Sequence, residues 1–305
     1  MIVSASIRTD IPAFFGEWFS RRLAAGWCLV PNPVTGQPMR VDLVPPRCDG
    51  LVFWTKDVRP FLPALAEVAA LGLPFTLQHT VTGYPRAYEP AVPLPADVLP
   101  ALREVVARHG PHALAWRYDP IVLSTATPDE WHLANFAQLA AMLEGLTDQC
   151  TVSFVHPYPQ TCEGLSEAGM QHRFDMRVPD TFQKRRLLGR LAEIARAHGM
   201  RTATCAQPDL AIEGVEAARC VDVERLSRMA GRLVNAPVGG NRRGCGCARS
   251  ADIGEYGTCR HGCVYCYARR GKPGAHDPAG ESLTPLAGTV QAPGHRTLPL
   301  FPEGK

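Results

Sequence analysis

The chain alternates between short apolar segments, rich in β-branched and aromatic residues, and longer segments with the apolar spacing of amphipathic helices. The short segments predict strands at 2–6, 27–30, 51–55, 74–81, 113–117, 150–155, 201–205 and 217–221. The longer ones predict helices at 12–25, 60–71, 96–109, 127–144, 181–198 and 222–233. This alternation indicates an α/β fold with a parallel sheet, and about eight strands favour a (β/α) barrel of the TIM type.

Two regions depart from the alternation. Residues 31–50 carry several prolines around a short alternating run, which predicts a loop or small hairpin in place of one helix. Residues 234–305 combine closely spaced cysteines with a tail rich in Gly and Pro that has no sustained period. We therefore expect a barrel over 1–233 and a cysteine-rich cap over 234–305, formed by a metal-binding loop and an irregular tail.

Length, hydropathy and cysteine content narrow the class of protein. A chain of 305 residues is long enough for one large core, and no apolar segment is long enough to span a bilayer. The eleven cysteines are odd in number and crowd toward one end, which favours metal ligation in a reducing compartment over disulfides. We expect a soluble, cytoplasmic protein that does not bind membranes.

The net charge of +3 argues against a dedicated nucleic-acid binder. Basic residues nevertheless gather in two places. One group over 184–201 has the spacing of a solvated helix face, and the other, at 242–243, 249 and 269–270, flanks the cysteines. Nucleic-acid binding is therefore left open by the second group alone.

The most specific chemical signal is the C-x3-C-x2-C spacing of Cys259, Cys263 and Cys266, with Tyr265 directly before the last cysteine. Three thiolates on one loop can hold three corners of a four-iron cluster and leave the fourth iron open to a small molecule. The alternative is a structural zinc site, with His261 or an upstream cysteine as the fourth ligand.

The string over 259–268 resembles the cluster loop of the spore photoproduct lyase-like branch of radical S-adenosylmethionine (SAM) proteins. The resemblance implies a [4Fe-4S] cluster on Cys259, Cys263 and Cys266, SAM bound at the open iron, and Tyr265 beside its adenine. It also implies an external one-electron reductant such as flavodoxin or ferredoxin. The corresponding chemistry is reductive cleavage of SAM to methionine and a 5'-deoxyadenosyl radical.

Polar residues follow many of the predicted strands, where chemistry sits in barrels of this type. Lys56, Arg117 and Asp119 are the candidate catalytic residues among them. The competing interpretations are a solvated lysine and an ion pair that closes the barrel mouth. Besides Tyr265, the candidate cofactor-binding residues are Arg8, Asp10 and Thr82.

Four further cysteines predict a second metal site: Cys205, Cys220, Cys245 and Cys247. Four thiolates suffice for a second iron-sulfur cluster or a zinc ion, and the glycine inside the C-x-C pair allows both thiolates to point at one centre. The alternative is that Cys205 and Cys220 are small buried apolar residues.

Nearly the whole chain resembles a bacterial family known mainly as a domain of unknown function. The similarity lies in the strings at 4–12, 52–56, 116–120 and 245–254, and in 276–278 of the tail. In ordinary radical SAM enzymes the cluster loop follows the first strand, whereas here it follows the last, which indicates a permuted arrangement. The first and last strands of a closed barrel are neighbours, so the geometry can be preserved.

Together these features predict a radical SAM enzyme whose substrate the sequence does not identify. The alternative is a non-catalytic metalloprotein in which zinc or an iron-sulfur cluster staples the cap for binding nucleic acid or a protein partner.

Overall fold

Parallel strands and the helices between them build the protein, whose computed structural model describes residues 1–32, 35–240, 242–269 and 279–284. The chain divides into two compact units. Unit 1 comprises Met1–Leu77, Arg219–Cys259 and the described residues 279–284. Unit 2 comprises Gln78–Ala218 and Arg260–Arg270. The string at 276–278, part of the family resemblance, lies outside the described residues.

The strands are β1 (Ile2–Ala5), β2 (Trp27–Pro31), β3 (Pro38–Asp42), β4 (Gly50–Thr55), β5 (Phe75–Thr80), β6 (Leu114–Ile121), β7 (Gln149–Phe154), β8 (Arg201–Thr204), β9 (Val215–Ala217) and β10 (Ser250–Asp252). The helices are α1 (Ile11–Phe14), α2 (Gly16–Ala25), α3 (Leu62–Ala70), α4 (Pro95–His109), α5 (Asp129–Leu143), α6 (Pro159–His172), α7 (Thr181–Ala197) and α8 (Val223–Ala230). An eight-stranded sheet has the order β10-β1-β4-β5-β6-β7-β8-β9, and β2 and β3 form a separate antiparallel pair.

In unit 1, β1 pairs in parallel with β4 on one side and with β10 on the other. All four residues of β1 are buried, as expected for a parallel strand covered on both faces. Phe19 of α2 and Phe53 of β4 pack edge to face, with ring centroids 5.5 Å apart, and Phe61 joins them. These aromatic contacts fix the helices that follow β1 and β4 against the sheet.

In unit 2, the pairs β6–β7, β7–β8 and β8–β9 are all parallel. The β6–β7 register shifts between Tyr118 and Ile121, so the carboxyl end of β6 is irregular. Trp116 of β6 stacks on Phe136 of α5 with ring centroids 4.6 Å apart. The stacking anchors α5 on the sheet.

The predicted α/β class with a large parallel sheet is confirmed. The hairpin expected within 31–50 is there only in part, because β3 lies in this segment but its partner strand is β2 at Trp27–Pro31. Helix α6 was not predicted, and three strands also differ from the prediction. The segment 27–30 pairs with β3 outside the large sheet, the expected strand at 217–221 lies earlier, at Val215–Ala217, and β10 was not foreseen. Its three residues, Ser-Ala-Asp, are too few and too polar to produce an apolar pattern.

None of the described helices is both long and apolar enough to cross a membrane.

Candidate functional site

A buried carboxylate, Asp252, marks the point where the chain leaves β10 and heads toward the cysteine loop. Its Oδ2 accepts hydrogen bonds from Ser4 Oγ (2.9 Å) and from the Ile7 amide (2.7 Å). Its Oδ1 accepts from Arg8 Nε (2.9 Å) and the Gly254 amide (2.9 Å). The Asp252 side chain is fully buried, so this ion pair fixes the carboxyl ends of β1 and β10 together.

The segment after Asp252 leads to Cys259 along the end of β1. Thr258 Oγ1 donates to Thr9 Oγ1 (2.8 Å), and Arg8 lies over the ring of Tyr256, 5.7 Å from its centroid. The first residue of the cysteine motif therefore starts from a backbone that is tied to the strand end of unit 1.

The rest of the cysteine loop, 260–269, lies in unit 2 and is held by backbone bonds to the loop that follows β5. The Val264 amide donates to the Tyr88 carbonyl (3.0 Å), and the Ala91 amide donates to the His261 carbonyl (3.2 Å). Gly262 has a φ of 71°, in the left-handed region that favours glycine. The loop is thus a shaped turn rather than an extended linker.

Helix α6 supports the same loop from another direction. Thr161 Oγ1 donates to the Tyr265 carbonyl (3.2 Å), and Gln160 Nε2 donates to the Tyr267 carbonyl. A β-carbon at Gly164 would overlap the Val264 carbonyl oxygen, so only glycine allows this approach.

The three motif cysteines differ in exposure. Cys263 is buried, whereas Cys259 and Cys266 are half-buried, and none of the three is in a disulfide. The Cys266 amide donates to the Cys263 carbonyl (3.2 Å), and the Ala268 amide donates to Cys266 Sγ (3.4 Å).

Among the described residues, no three His, Cys, Asp or Glu side chains converge as a metal-binding group. The fit to an iron-sulfur cluster therefore rests on donor type and loop spacing. Cysteine thiolates on a tight loop, outside any disulfide, are the ligands that such clusters take.

Tyr265 is buried in unit 2, and its hydroxyl donates to the carboxylate of Glu89. Glu89 is itself buried and also accepts from Thr82 Oγ1 (2.6 Å). Burial and the nearby charge of Glu89 raise the pKa of Tyr265 well above its usual range, so the phenol remains a donor. Glu89 thus joins two predicted cofactor-binding residues. Sequence reasoning missed it because it lies in a proline-rich loop without a motif.

Arg117 and Asp119, two of the candidate catalytic residues, form an ion pair at the carboxyl end of β6. Ser153 of β7 donates to the other oxygen of Asp119. The Arg117 side chain is 8% exposed and that of Asp119 is 16% exposed, so the pair is shielded but still reaches solvent. The ion pair that was the competing, non-catalytic interpretation of these two residues is present, and their catalytic role stays a prediction.

The other predicted residues belong to unit 1. The backbone amide of Lys56 donates to Asp10 Oδ2 (2.8 Å), and Asp10 Oδ1 caps α1 by accepting from the Ala13 amide (2.9 Å). Asp10 and Arg8 thus hold the ends of β4 and β1 in place. Their cofactor-binding roles, and the catalytic role of Lys56, stay predictions.

Pairwise contacts link three of the four second-site cysteines, all in unit 1. The Cys220 amide donates to Cys247 Sγ (3.1 Å). A side-chain hydrogen bond with Cys220 lowers the pKa of Cys247, but its hydrogen bond with Cys245, burial and the charge of Cys245 raise it to about 11. Cys205 lies in unit 2, where its amide donates to the Val152 carbonyl (3.1 Å).

A buried tyrosine–histidine pair lies behind the strand ends of unit 2. His132 Nε2 is 3.0 Å from the Val122 carbonyl, so this nitrogen carries the proton and the Tyr118 hydroxyl donates to Nδ1 (2.8 Å). Asn135 Nδ2 bonds both the Tyr118 hydroxyl (3.0 Å) and the Thr82 carbonyl (2.7 Å). Burial lowers the pKa of His132 to about 4, although its bond to Val122 opposes the shift.

We expect this pair to make stability depend on pH. The unfolded histidine binds a proton near pH 6.5 and the folded one near 4, so the contribution is complete above 6.5 and is lost as the pH falls toward 4. The loss amounts to about 3 kcal/mol. Urea unfolding from pH 7 to 4 measures it, and His132→Gln is expected to flatten the dependence. The exposed His172→Gln is the matched control, and equal slopes in both variants would contradict the assignment.

A family model described as "Domain of unknown function (DUF1848)" matches residues 2–268. No curated protein matches the sequence.

Solved structures match parts of the chain at low similarity. The D-hydantoinase from a Bacillus sp. AR9 has a TM-score of 0.30 and 9% identity, over 61% of this chain and 37% of its own. A second D-hydantoinase has a TM-score of 0.31 and 10% identity, over 75% of this chain and 44% of its own. A putative alpha-L-fucosidase from Bacteroides thetaiotaomicron VPI-5482 has a TM-score of 0.27 and 13% identity, over 61% of this chain and 74% of its own. The chain thus spans less than half the length of either hydantoinase.

Proposed function

The chain belongs to the DUF1848 family, and we propose that it is an iron-sulfur enzyme of the radical SAM type. In this proposal Cys259, Cys263 and Cys266 hold a [4Fe-4S] cluster. When bound, the cluster and SAM would supply radical chemistry: with one electron from an external reductant, SAM would be cleaved reductively and a hydrogen atom would be removed from the substrate. Closure of the parallel sheet into a (β/α) barrel is part of the same proposal.

The supporting observation is the position of β10. It pairs in parallel with β1, and the segment after it runs along the end of β1 to Cys259. The loop thus starts from the carboxyl end of a parallel strand next to the first strand, the edge where α/β proteins place their chemistry. The departure in chain order is therefore compatible with the arrangement that the loop sequence implies.

In this proposal one group of residues holds the cysteine loop in place and a second group orients the substrate. Asp252, Arg8 and Thr258 hold the start of the loop, and Glu89 holds Tyr265 through its phenol. Arg117 and Asp119, braced by Ser153, present a guanidinium and a carboxylate at the end of β6, where they orient a polar substrate group. We further propose a second metal site on Cys205, Cys220, Cys245 and Cys247.

Anaerobic reconstitution with iron and sulfide tests the proposal. We expect about four irons per chain for one cluster and about eight for two. With a strong one-electron reductant, SAM should then yield methionine and 5'-deoxyadenosine, measured by chromatography. Protein that carries stoichiometric zinc, takes up no iron and forms no 5'-deoxyadenosine would overturn the proposal in favour of a non-catalytic metalloprotein.

A further inference from the structure

A pocket of about 720 Å³ opens in unit 2 at the carboxyl ends of β6 and β7. Ile121 and Phe154, the last residues of these strands, form its floor with Leu165 of α6. The carboxyl edge of a parallel sheet is where α/β proteins bind ligands, and this volume is typical of small-molecule pockets.

The walls of the pocket are mainly apolar, and part of that surface faces solvent. Met170 is 76% exposed and Val178 is 93% exposed at its edge. Apolar side chains exposed this far beside a concave site are characteristic of a surface that a ligand covers.

The rim of the pocket is basic. Arg173, Arg177 and Lys184 line it against one carboxylate, Asp175. Within the part of the chain that the structure describes, the guanidinium groups of Arg173 and Arg177 make no hydrogen bond or ion pair. Lys184 Nζ lies 5.8 Å from the ring centroid of Phe154, so one cation sits directly over the apolar floor.

The segment that carries these charges is fixed in place. The Arg177 amide donates to the Leu123 carbonyl (2.9 Å), and the Thr125 amide donates to the Asp175 carbonyl (2.9 Å). Phe174 stacks on Tyr88 with ring centroids 4.7 Å apart. The pocket is therefore formed before a ligand arrives, which reduces the entropic cost of binding.

We propose that this pocket binds a small molecule that combines an apolar body with an anionic group. The apolar walls desolvate the body, and the arginines at the rim bind the anion in forked geometry. A neutral apolar molecule would leave the cations without a partner, and a purely polar anion would leave the walls uncovered.

The pocket shares a wall with the cysteine loop. Leu165 and Phe174 line the pocket and pack in one buried cluster with Cys263 and Tyr265. That the bound molecule is also the substrate rests on the proposed function, whereas binding itself rests on the geometry of unit 2 alone.

Two fluorescent probes of matched shape test the binding. 8-Anilinonaphthalene-1-sulfonate carries an apolar ring system with an anion, and N-phenyl-1-naphthylamine carries the same ring system without it. We expect the as-purified protein to bind the sulfonate probe more tightly. Neither measurement needs iron, SAM or a reductant, so this result is separate from the fate of the proposed function.

Variants locate the site. Arg173→Gln combined with Arg177→Gln should weaken the sulfonate probe roughly fivefold and leave the neutral probe unchanged. Ser166→Trp, which fills the pocket from α6, should weaken both probes, and the exposed Arg190→Gln on α7 should affect neither. Circular dichroism melting establishes that each variant is folded. Equal affinity of the wild type for both probes, an unchanged preference in the double arginine variant, or unaffected binding in Ser166→Trp would each overturn the proposal.

Discussion

Replacing Asp252 by alanine is expected to lower the free energy of unfolding by about 3–5 kcal/mol, the range for breaking a buried ion pair. The Asp252 side chain is fully buried and that of Arg8 is only 6% exposed. The variant leaves the Arg8 guanidinium without its carboxylate and removes the acceptor for Ser4 Oγ and the amides of Ile7 and Gly254. Urea unfolding at neutral pH measures the loss.

The matched control is Glu17→Ala, which breaks an ion pair with Arg21 on the surface of α2. The Glu17 side chain is 85% exposed, and solvent screening limits such a pair to about 0.3–0.5 kcal/mol. If the free energy of unfolding falls by the same amount in both variants, the ion pair and hydrogen bonds of Asp252 are not what joins the ends of β1 and β10.

The large parallel sheet was predictable because its strands are buried on both faces and read as continuous apolar runs. β4 and β7 are the clearest cases, since five of six residues of β4 and all six of β7 are buried. β10 escaped prediction because it has only three residues and is held by Asp252 rather than by its own apolar content. Helix α6 escaped because its buried side combines Thr161, Gly164 and Leu165, of which only the last is strongly apolar.

The candidate site, too, was predictable from the sequence only in part. Spacing alone singled out the cysteine loop, since the motif is local in sequence. The carboxylates of Glu89 and Asp252 were not found because their roles depend on contacts that are distant in sequence. Glu89 and its partner Tyr265 are 176 positions apart, and Asp252 and its partner Arg8 are 244 positions apart. Local sequence patterns carry no information on such pairs. Each contact is strong because the carboxylate is buried, where the low local dielectric strengthens its hydrogen bonds.

Alanine at Cys259, Cys263 or Cys266 is expected to abolish both the iron of the loop cluster and 5'-deoxyadenosine formation. Each cysteine is one of three anchors on a four-iron cluster, so losing any one leaves too few ligands, and the three variants should fail together rather than in graded fashion. Iron and sulfide analysis with chromatography after reduction provides the measurement. A variant that kept its full iron content would remove that cysteine from the ligand set.

Two controls separate coordination from folding. Cys162→Ala removes an exposed thiol on α6, outside the proposed ligand sets, and should leave the iron content unchanged. Tyr265→Phe keeps the ring in its buried cluster with Tyr84 and Cys263 but removes the hydrogen bond to Glu89. The iron should remain. The free energy of unfolding should fall by about 1–3 kcal/mol, because the buried Glu89 carboxylate loses a donor. Iron lost from Tyr265→Phe as completely as from the cysteine variants would mean that the phenol–carboxylate bond, and not thiolate number alone, decides whether the loop can hold a cluster.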